Sequence, residues 1–283
     1  MTDSPGEAGQ GWFAECDPDD VEAAAEAVAS GSADEPRDWP RLAVDAGFAA
    51  DEADYYDRLH AAAMAATRRE VRDREAADDQ QLVHAVRAMD DCRRTANELA
   101  ERLAEWAGSR EADGGTGVGY AREVAARDSD DPVDRRVADL AQRVVDLDEE
   151  AEDLRQFIER SLPELAPNLA ALAGPVLAAR LISQAGGLES LAKKPSGTVQ
   201  LLGAEDALFA HLQGGAPSPK HGVIFTHDAV RGTAPENRGS AARALAGKLS
   251  IAARVDHYSG DYRPELEADL EERIRTIQER DAE

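Results

Sequence analysis

Pro132-Val-Asp-Arg-Arg-Val-Ala-Asp-Leu-Ala-Gln-Arg-Val-Val-Asp-Leu-Asp-Glu-Glu-Ala-Glu-Asp-Leu-Arg-Gln-Phe-Ile158 decides the fold. Its apolar positions Val133, Val137, Leu140, Val144, Leu147, Ala151, Leu154 and Ile158 step 4,3,4,3,4,3,4 without a fault. A seam kept up over more than three heptads is the mark of helices packing side by side. Asp130 or Asp131 supplies an N-cap and Pro132 a first helical position. Upstream, Leu82, Val86, Met89, Cys92, Ala96, Leu99, Leu103 and Trp106 form a second seam with one irregular step. Between them, Gly108 to Asp131 is rich in Gly and Asp and reads as a connection. Two long helices so joined form an antiparallel hairpin, the second spanning roughly 40 Å at about 1.5 Å per residue.

Around this hairpin four parts are expected: a disordered tail over 1–10, a short N-terminal domain over 11–64, the coiled coil over 65–162, and a compact, mostly helical domain over 163–283. The fold class is mainly α. The N-terminal part holds Trp12, Phe13, Trp39, Phe48, Tyr55 and Tyr56, and a fragment of that size has little core of its own. In the last part, Pro167-Asn168 opens an apolar helix ending at Gly186-Gly187, a short helix ends before Pro195, and Gly203 to Gln213 forms another. His221-Gly-Val-Ile-Phe-Thr-His227 reads as extended. A long helix from near Pro235 to about Tyr258 and a charged closing helix follow.

Composition narrows the function. The 283 residues carry 57 acids against 32 bases, a net charge of −25, and the bases are 28 arginines and four lysines. The acids are spread through every segment, which suits a surface kept soluble in concentrated salt and points to a halophilic host; an ordinary acidic protein is the alternative. No 18-residue apolar run exists, and the first residues lack the basic and apolar regions of a signal peptide. Cys16 and Cys92, 76 positions apart, make neither a disulfide framework nor a metal cluster, and a reduced cytoplasm is expected. From Lys193 to Arg263, however, nine bases face six acids, a local +3. On the helix after Pro235, Arg243 and Arg254 lie within about 20° of each other, Arg238 sits in the first turn, and Lys248 points to another side. Such guanidinium groups suit phosphates, unless they pair with Glu236 or Asp256.

Catalytic patterns are scarce. Gly114-Gly-Thr-Gly-Val-Gly119 follows no buried strand and reads as linker, and His221, His227 and Asp228 have no defensible metal spacing. Neither catalytic nor metal-ligating residues are expected, nor any cofactor of the chain's own.

Several blocks in order resemble the Nop domain: Ala166-Pro-Asn-Leu169, Arg180-Leu-Ile182, Gln184-Ala-Gly-Gly187, Gly203-Ala-Glu-Asp-Ala-Leu-Phe209, Pro219-Lys-His-Gly-Val-Ile-Phe225, Arg238-Gly-Ser-Ala-Ala-Arg-Ala-Leu-Ala246 and Lys248-Leu-Ser-Ile-Ala-Ala-Arg-Val-Asp256. Gln81 to Asp90 and Asn97 to Trp106 resemble the coiled-coil segment of the same family, in its archaeal branch. The resemblance implies a non-catalytic scaffold of the box C/D ribonucleoprotein. Such a scaffold grips guide RNA together with a kink-turn-binding, ribosomal-like protein, pairs with a second copy through the coiled coil, and carries fibrillarin. Fibrillarin, holding S-adenosylmethionine, then methylates ribose 2′-hydroxyls of rRNA or tRNA. Carried onto this chain, it implies RNA contacts at Lys220, His221, Arg238, Arg243, Lys248 and Arg254, and kink-turn-protein contacts at Glu205, Ala207, Leu208 and Leu212. Fibrillarin contacts are expected among Trp12, Phe13, Trp39, Phe48, Tyr55 and Tyr56. Asp206 and Ser240 replace lysines usual in the family, Trp106-Ala-Gly replaces an aromatic-rich run, and the region before the coiled coil is short. A spliceosomal Nop paralogue and a coiled-coil dimerisation protein without RNA are the alternatives.

Overall fold

The computed structural model describes residues 11–33, 35–110 and 114–279; the expected tail over 1–10 lies outside them. The described residues contain helices and no strand. They divide between residues 77 and 78 into two units.

The first unit comprises α1 (Val21–Ser30), α2 (Trp39–Asp45) and α3 (Glu52–Glu75), with α1 and α2 packed on α3. Asp20, Asp38 and Asp51 cap the three N-termini through their carboxylates. The break expected at 64/65 therefore falls inside a continuous helix. Phe13, Phe48 and Tyr55 are buried with Ala43 and Ala49, Trp12 and Trp39 are half-buried, and Tyr56 is exposed. The expectation that all six aromatics face a partner is corrected for the buried three. So small a unit has few large side chains and needs them to close its own interior.

In the second unit, α4 (Asp78–Gly108) and α6 (Pro132–Leu165) pack along each other. Leu82, Val86 and Met89 share a core with Ile158 and Leu162, while Ala100 and Leu103 share another with Val137, Ala141 and Val144, so the pair is antiparallel. Buried alanines let the backbones approach closely, and most of both seams is covered. Trp106 and Val133, at the distal ends, remain 41% and 39% exposed. The connection is not all loop. Its glycines open α5 (Gly117–Ala125), which packs on α6 through Tyr120, Ala121 and Val124. A Cβ at Gly115 would lie 2.5 Å from the Tyr120 ring, so glycine there lets an aromatic lie against backbone.

The remaining helices wrap the base of the hairpin: α7 (Pro167–Ala173), α8 (Pro175–Ala185), α9 (Leu188–Lys193), α10 (Ser196–Leu201), α11 (Glu205–Leu212), α12 (Asp228–Arg231), α13 (Arg238–Tyr258) and α14 (Glu265–Glu279). The single apolar helix expected over 167–186 is broken at Gly174, whose φ of 73° ends α7 and sets up Pro175 at the start of α8. α13 is central. Ala241, Ala242, Leu245, Ala246, Leu249, Ala252 and Ala253 form its buried face, on which α7, α9, α10 and α14 pack. Its C-terminal end is tied to α7 by Asp256, which is 6% exposed. The Asp256 carboxylate accepts from the Leu169 N–H (2.9 Å), the Asn168 N–H (3.1 Å) and the Asn168 side-chain amide (2.6 Å). It thereby caps a helix whose own N-cap, Ala166, has no side chain able to do so. Burial pushes the Asp256 carboxyl up, against the lowering effect of these bonds.

Candidate nucleic-acid interface

Opposite its buried face, α13 exposes Ser240, Arg243, Ile251, Arg254 and Tyr258, as the helical period requires. Arg243 has no hydrogen-bond or ion-pair partner among the described residues. Arg254 shares its face, and two of its five N–H donors are engaged: Nε with the Ala192 carbonyl at 3.2 Å and Nη2 with that of Lys194 at 3.4 Å. These are carbonyls at the end of α9, where a cation meets the negative pole of the helix. Lys248 is also committed, its Nζ 2.6 Å from Asp269 on α14 with the side chain 23% exposed. Lys248 is therefore ion-paired, whereas Arg254 is anchored through two of its five N–H donors and keeps an exposed guanidinium with no carboxylate against it. The expected alternative partners are not used either, since Asp256 serves α7.

At the N-terminal end of α13 the structure brings Lys220, His221 and Arg238 together. The segment expected to be extended is a 3₁₀ turn, Val223–Thr226, running into α12. It is not a strand because it has no strand neighbour; it is pinned to α10 instead. Gly222 N–H donates to Gln200 O (2.8 Å), Val223 N–H to Leu202 O (2.7 Å), and the Gln200 amide to Lys220 O (2.6 Å). A Cβ on Gly222 would lie 2.0 Å from Leu202 O, so only glycine fits. The turn lays the His221 ring on Phe225, centroids 4.6 Å apart and planes 18° off parallel. Arg238 places its guanidinium carbon 5.5 Å from the Phe225 centroid while Nε donates to Thr233 O at 3.0 Å. The Lys220 stem passes over Gly239. Partial burial lowers the His221 pKa, with Arg238 and Lys220 adding to it, which favours the neutral ring as a stacking surface beside the two cations. Stacked rings, a guanidinium and an ammonium on one rim suit phosphates and an unstacked base.

α11 is the other surface feature: it buries none of its residues. Glu205, Ala207 and Leu212 are exposed, Leu212 at 74%, and Leu208 is half-buried. Glu205 also accepts from the Gly203 N–H at 2.9 Å, bracing the turn into the helix. Phe209, 63% exposed, joins this face without having been singled out from sequence. Phe225 and Gln200 were missed too, and the signal for Phe225 was its spacing of four from His221 within a Gly-containing turn. His227, entertained as a metal ligand, spends Nε2 on Leu172 O (3.0 Å) and Nδ1 on the Ala229 N–H (3.1 Å). Among the described residues no group of three His, Cys, Asp or Glu side chains could hold a metal ion, and no helix is long and apolar enough to cross a membrane.

Comparison with known proteins agrees with this geometry. Residues 118–276, more than half of the chain, match the family model described as Nop, snoRNA binding domain, fibrillarin. A NOP5 family protein of Methanocaldococcus jannaschii is 49% identical over 142 residues, covering 50% of this chain and 34% of that one. Nucleolar protein 56 of Dictyostelium discoideum is 46% identical over 123 residues, 44% of this chain and 23% of that one. The matched stretch thus spans about a third or less of these relatives' length. A solved structure described as a fibrillarin/Nop5p complex shares the fold with a TM-score of 0.54 and 25% identity, over 91% of each chain. The blocks around Lys220–Phe225 and along α13, the helical hairpin and the family match lead to one conclusion: this chain belongs to the Nop family.

Proposed function

We propose that the protein is the non-catalytic scaffold of a box C/D guide ribonucleoprotein. It binds guide RNA jointly with a kink-turn-binding protein and positions fibrillarin for 2′-O-ribose methylation of rRNA or tRNA. The observation that carries this reading is the Lys220–His221–Phe225–Arg238 cluster, with unpaired Arg243 on the same helix, in a chain of net charge −25. An acidic chain that holds cations without neutralising carboxylates holds them for an anion. α11, which buries nothing, supports the kink-turn protein at Glu205, Ala207, Leu208 and Leu212. The exposed ends of the hairpin seams, Trp106 and Val133, support pairing with a second copy. Fibrillarin supplies the methyltransferase activity and holds S-adenosylmethionine, while this chain contributes distance and orientation in the cytoplasm of a salt-adapted archaeon. Sequencing the RNA recovered with the native protein tests the proposal. Guide RNAs with paired kink-turn boxes are expected; a single small nuclear RNA, or none, overturns it.

A further inference from the structure

We propose that Gln200 and Thr233 are positioning residues of the RNA face: Gln200 fixes the Lys220–His221 main chain and Thr233 fixes the Arg238 guanidinium, both around Phe225. This rests on the scaffold reading and adds what holds its cations in place. Neither residue carries a charge to offer RNA.

Gln200, in α10, grips a segment 20 residues away at two points. Its side-chain amide donates to Lys220 O at 2.6 Å, and its main-chain carbonyl accepts from the Gly222 N–H at 2.8 Å. The two bonds straddle His221, so the main chain that carries the ring stacked on Phe225 is held on both sides. Gln200 is itself anchored: its neighbours Val199 and Leu202 are buried in the core that α13 shares.

Thr233, 2% exposed, does the same for Arg238. Its carbonyl accepts from Arg238 Nε at 3.0 Å. Its hydroxyl donates to Ala229 O at 2.8 Å and accepts from the Gln278 amide at 3.3 Å. The carbonyl on which Arg238 leans is thus tied to α12 and α14 by the side chain of the same residue. A guanidinium presents its N–H donors in one planar fork. With Nε engaged and the guanidinium carbon 5.5 Å from the Phe225 centroid, the two terminal nitrogens remain as the edge that takes a phosphate bidentately.

Pre-organisation has a particular value in salt. The gain from counterion release shrinks as salt rises, whereas the cost of ordering a long side chain does not. A cation ordered before RNA arrives avoids that cost.

The test is a gel shift of the full chain on the RNA–kink-turn-protein complex in molar KCl, with melting recorded for each variant. Gln200→Leu removes the donor to Lys220 O, and Thr233→Val removes the hydroxyl, each keeping the size of the side chain. Each should weaken RNA binding about 3- to 10-fold, the scale of a side chain left to be ordered on binding. Thr233→Ser, which keeps the hydroxyl, should restore affinity. A purely structural role would weaken binding equally in any background, so coupling is the deciding readout. The Gln200→Leu loss should vanish in a Lys220→Ala/His221→Ala background, and the Thr233→Val loss in an Arg238→Ala background. Gln200→Leu and Arg238→Ala should add. If Thr233→Val melts early, Gln278→Ala, which strips the donor to the hydroxyl from an exposed position, is read in the same cycle. Parent-like affinity, or losses that add in every background, overturns the positioning roles and leaves the scaffold reading standing. A parent that does not bind the RNA–kink-turn-protein complex overturns that reading itself.

Discussion

Arg243 and Arg254 share a face of α13 but should behave oppositely on truncation. Arg243 is exposed and partnerless among the described residues, so Arg243→Ala should change stability by no more than about 0.5 kcal/mol. Its loss should fall on RNA: about 1–3 kcal/mol for a charged hydrogen bond, or about 5- to 150-fold in affinity. Arg243→Lys keeps the charge but not the planar fork and should recover only part of it. Arg254→Ala removes two bonds, at 3.2 and 3.4 Å, from the end of α9. That loss should cost about 1 kcal/mol of stability, near 2–4 °C in melting temperature for a unit of this size. The assay is a gel shift on the RNA–kink-turn-protein complex in molar KCl, paired with melting of each variant. An Arg243→Ala protein that melts early and binds RNA normally would refute the reasoning.

Asp256→Ala should leave buried donors of Asn168 and Leu169 without acceptors at about 1–3 kcal/mol each, so unit-wide melting should fall sharply; an unchanged melt defeats the capping role. Leu103→Ala, at a fully buried seam position, should cost about 2–5 kcal/mol by denaturant titration, and a smaller loss would mean the distal core is loosely packed. Burial holds His227 below its ordinary pKa of 6.5, and its Nδ1 accepts a hydrogen bond only when neutral. Folding stability should therefore be full above pH 6.5 and decline as pH falls from there toward the lowered folded-state value. His227→Gln should flatten that decline, and an identical pH profile in the variant would exclude the histidine as its source.

The hairpin was legible because its signal is redundant: eight seam positions on α6 agree, and a single misplacement could not hide them. α13 was legible for the same reason, with alanines and leucines marking one face over 21 residues. Among the short elements, α9 and α11 were legible from the Gly and Pro that bound them, but α10 and α5 were not. α10 has six residues, fewer than two turns, and carries no period to read. α5 was concealed by Gly114, Gly115, Gly117 and Gly119, whose spacing imitates a linker, although Gly115 serves the approach of Tyr120. Gly174 looked like one tolerable glycine inside a helix; its positive φ became a break only with Pro175 behind it. At the interface, residue type gave Arg238 and Arg243, but whether a cation is free is a tertiary property. Lys248 is paired with Asp269, 21 residues away, and Arg254 is anchored on Lys194 O, 60 residues away. The aromatics of the first unit divided between interior and surface in a way composition alone does not encode.

α6 runs unbroken from the distal core into the basal core, and α7 follows it directly, where Asp256 fastens α13. Mechanically, that makes the hairpin a lever with its pivot at the C-terminal end of α13, the opposite end of that helix from the basic cluster. Thirty-four residues give an arm of about 50 Å, so a 5° wobble at the pivot sweeps the tip through about 4 Å. Selection for accuracy at the far end should then act on the stiffness of the joint as much as on any surface that touches a partner. Substitutions at Asn168 or Asp256 too mild to unfold the protein should blur where the tip points while leaving every contact chemistry intact.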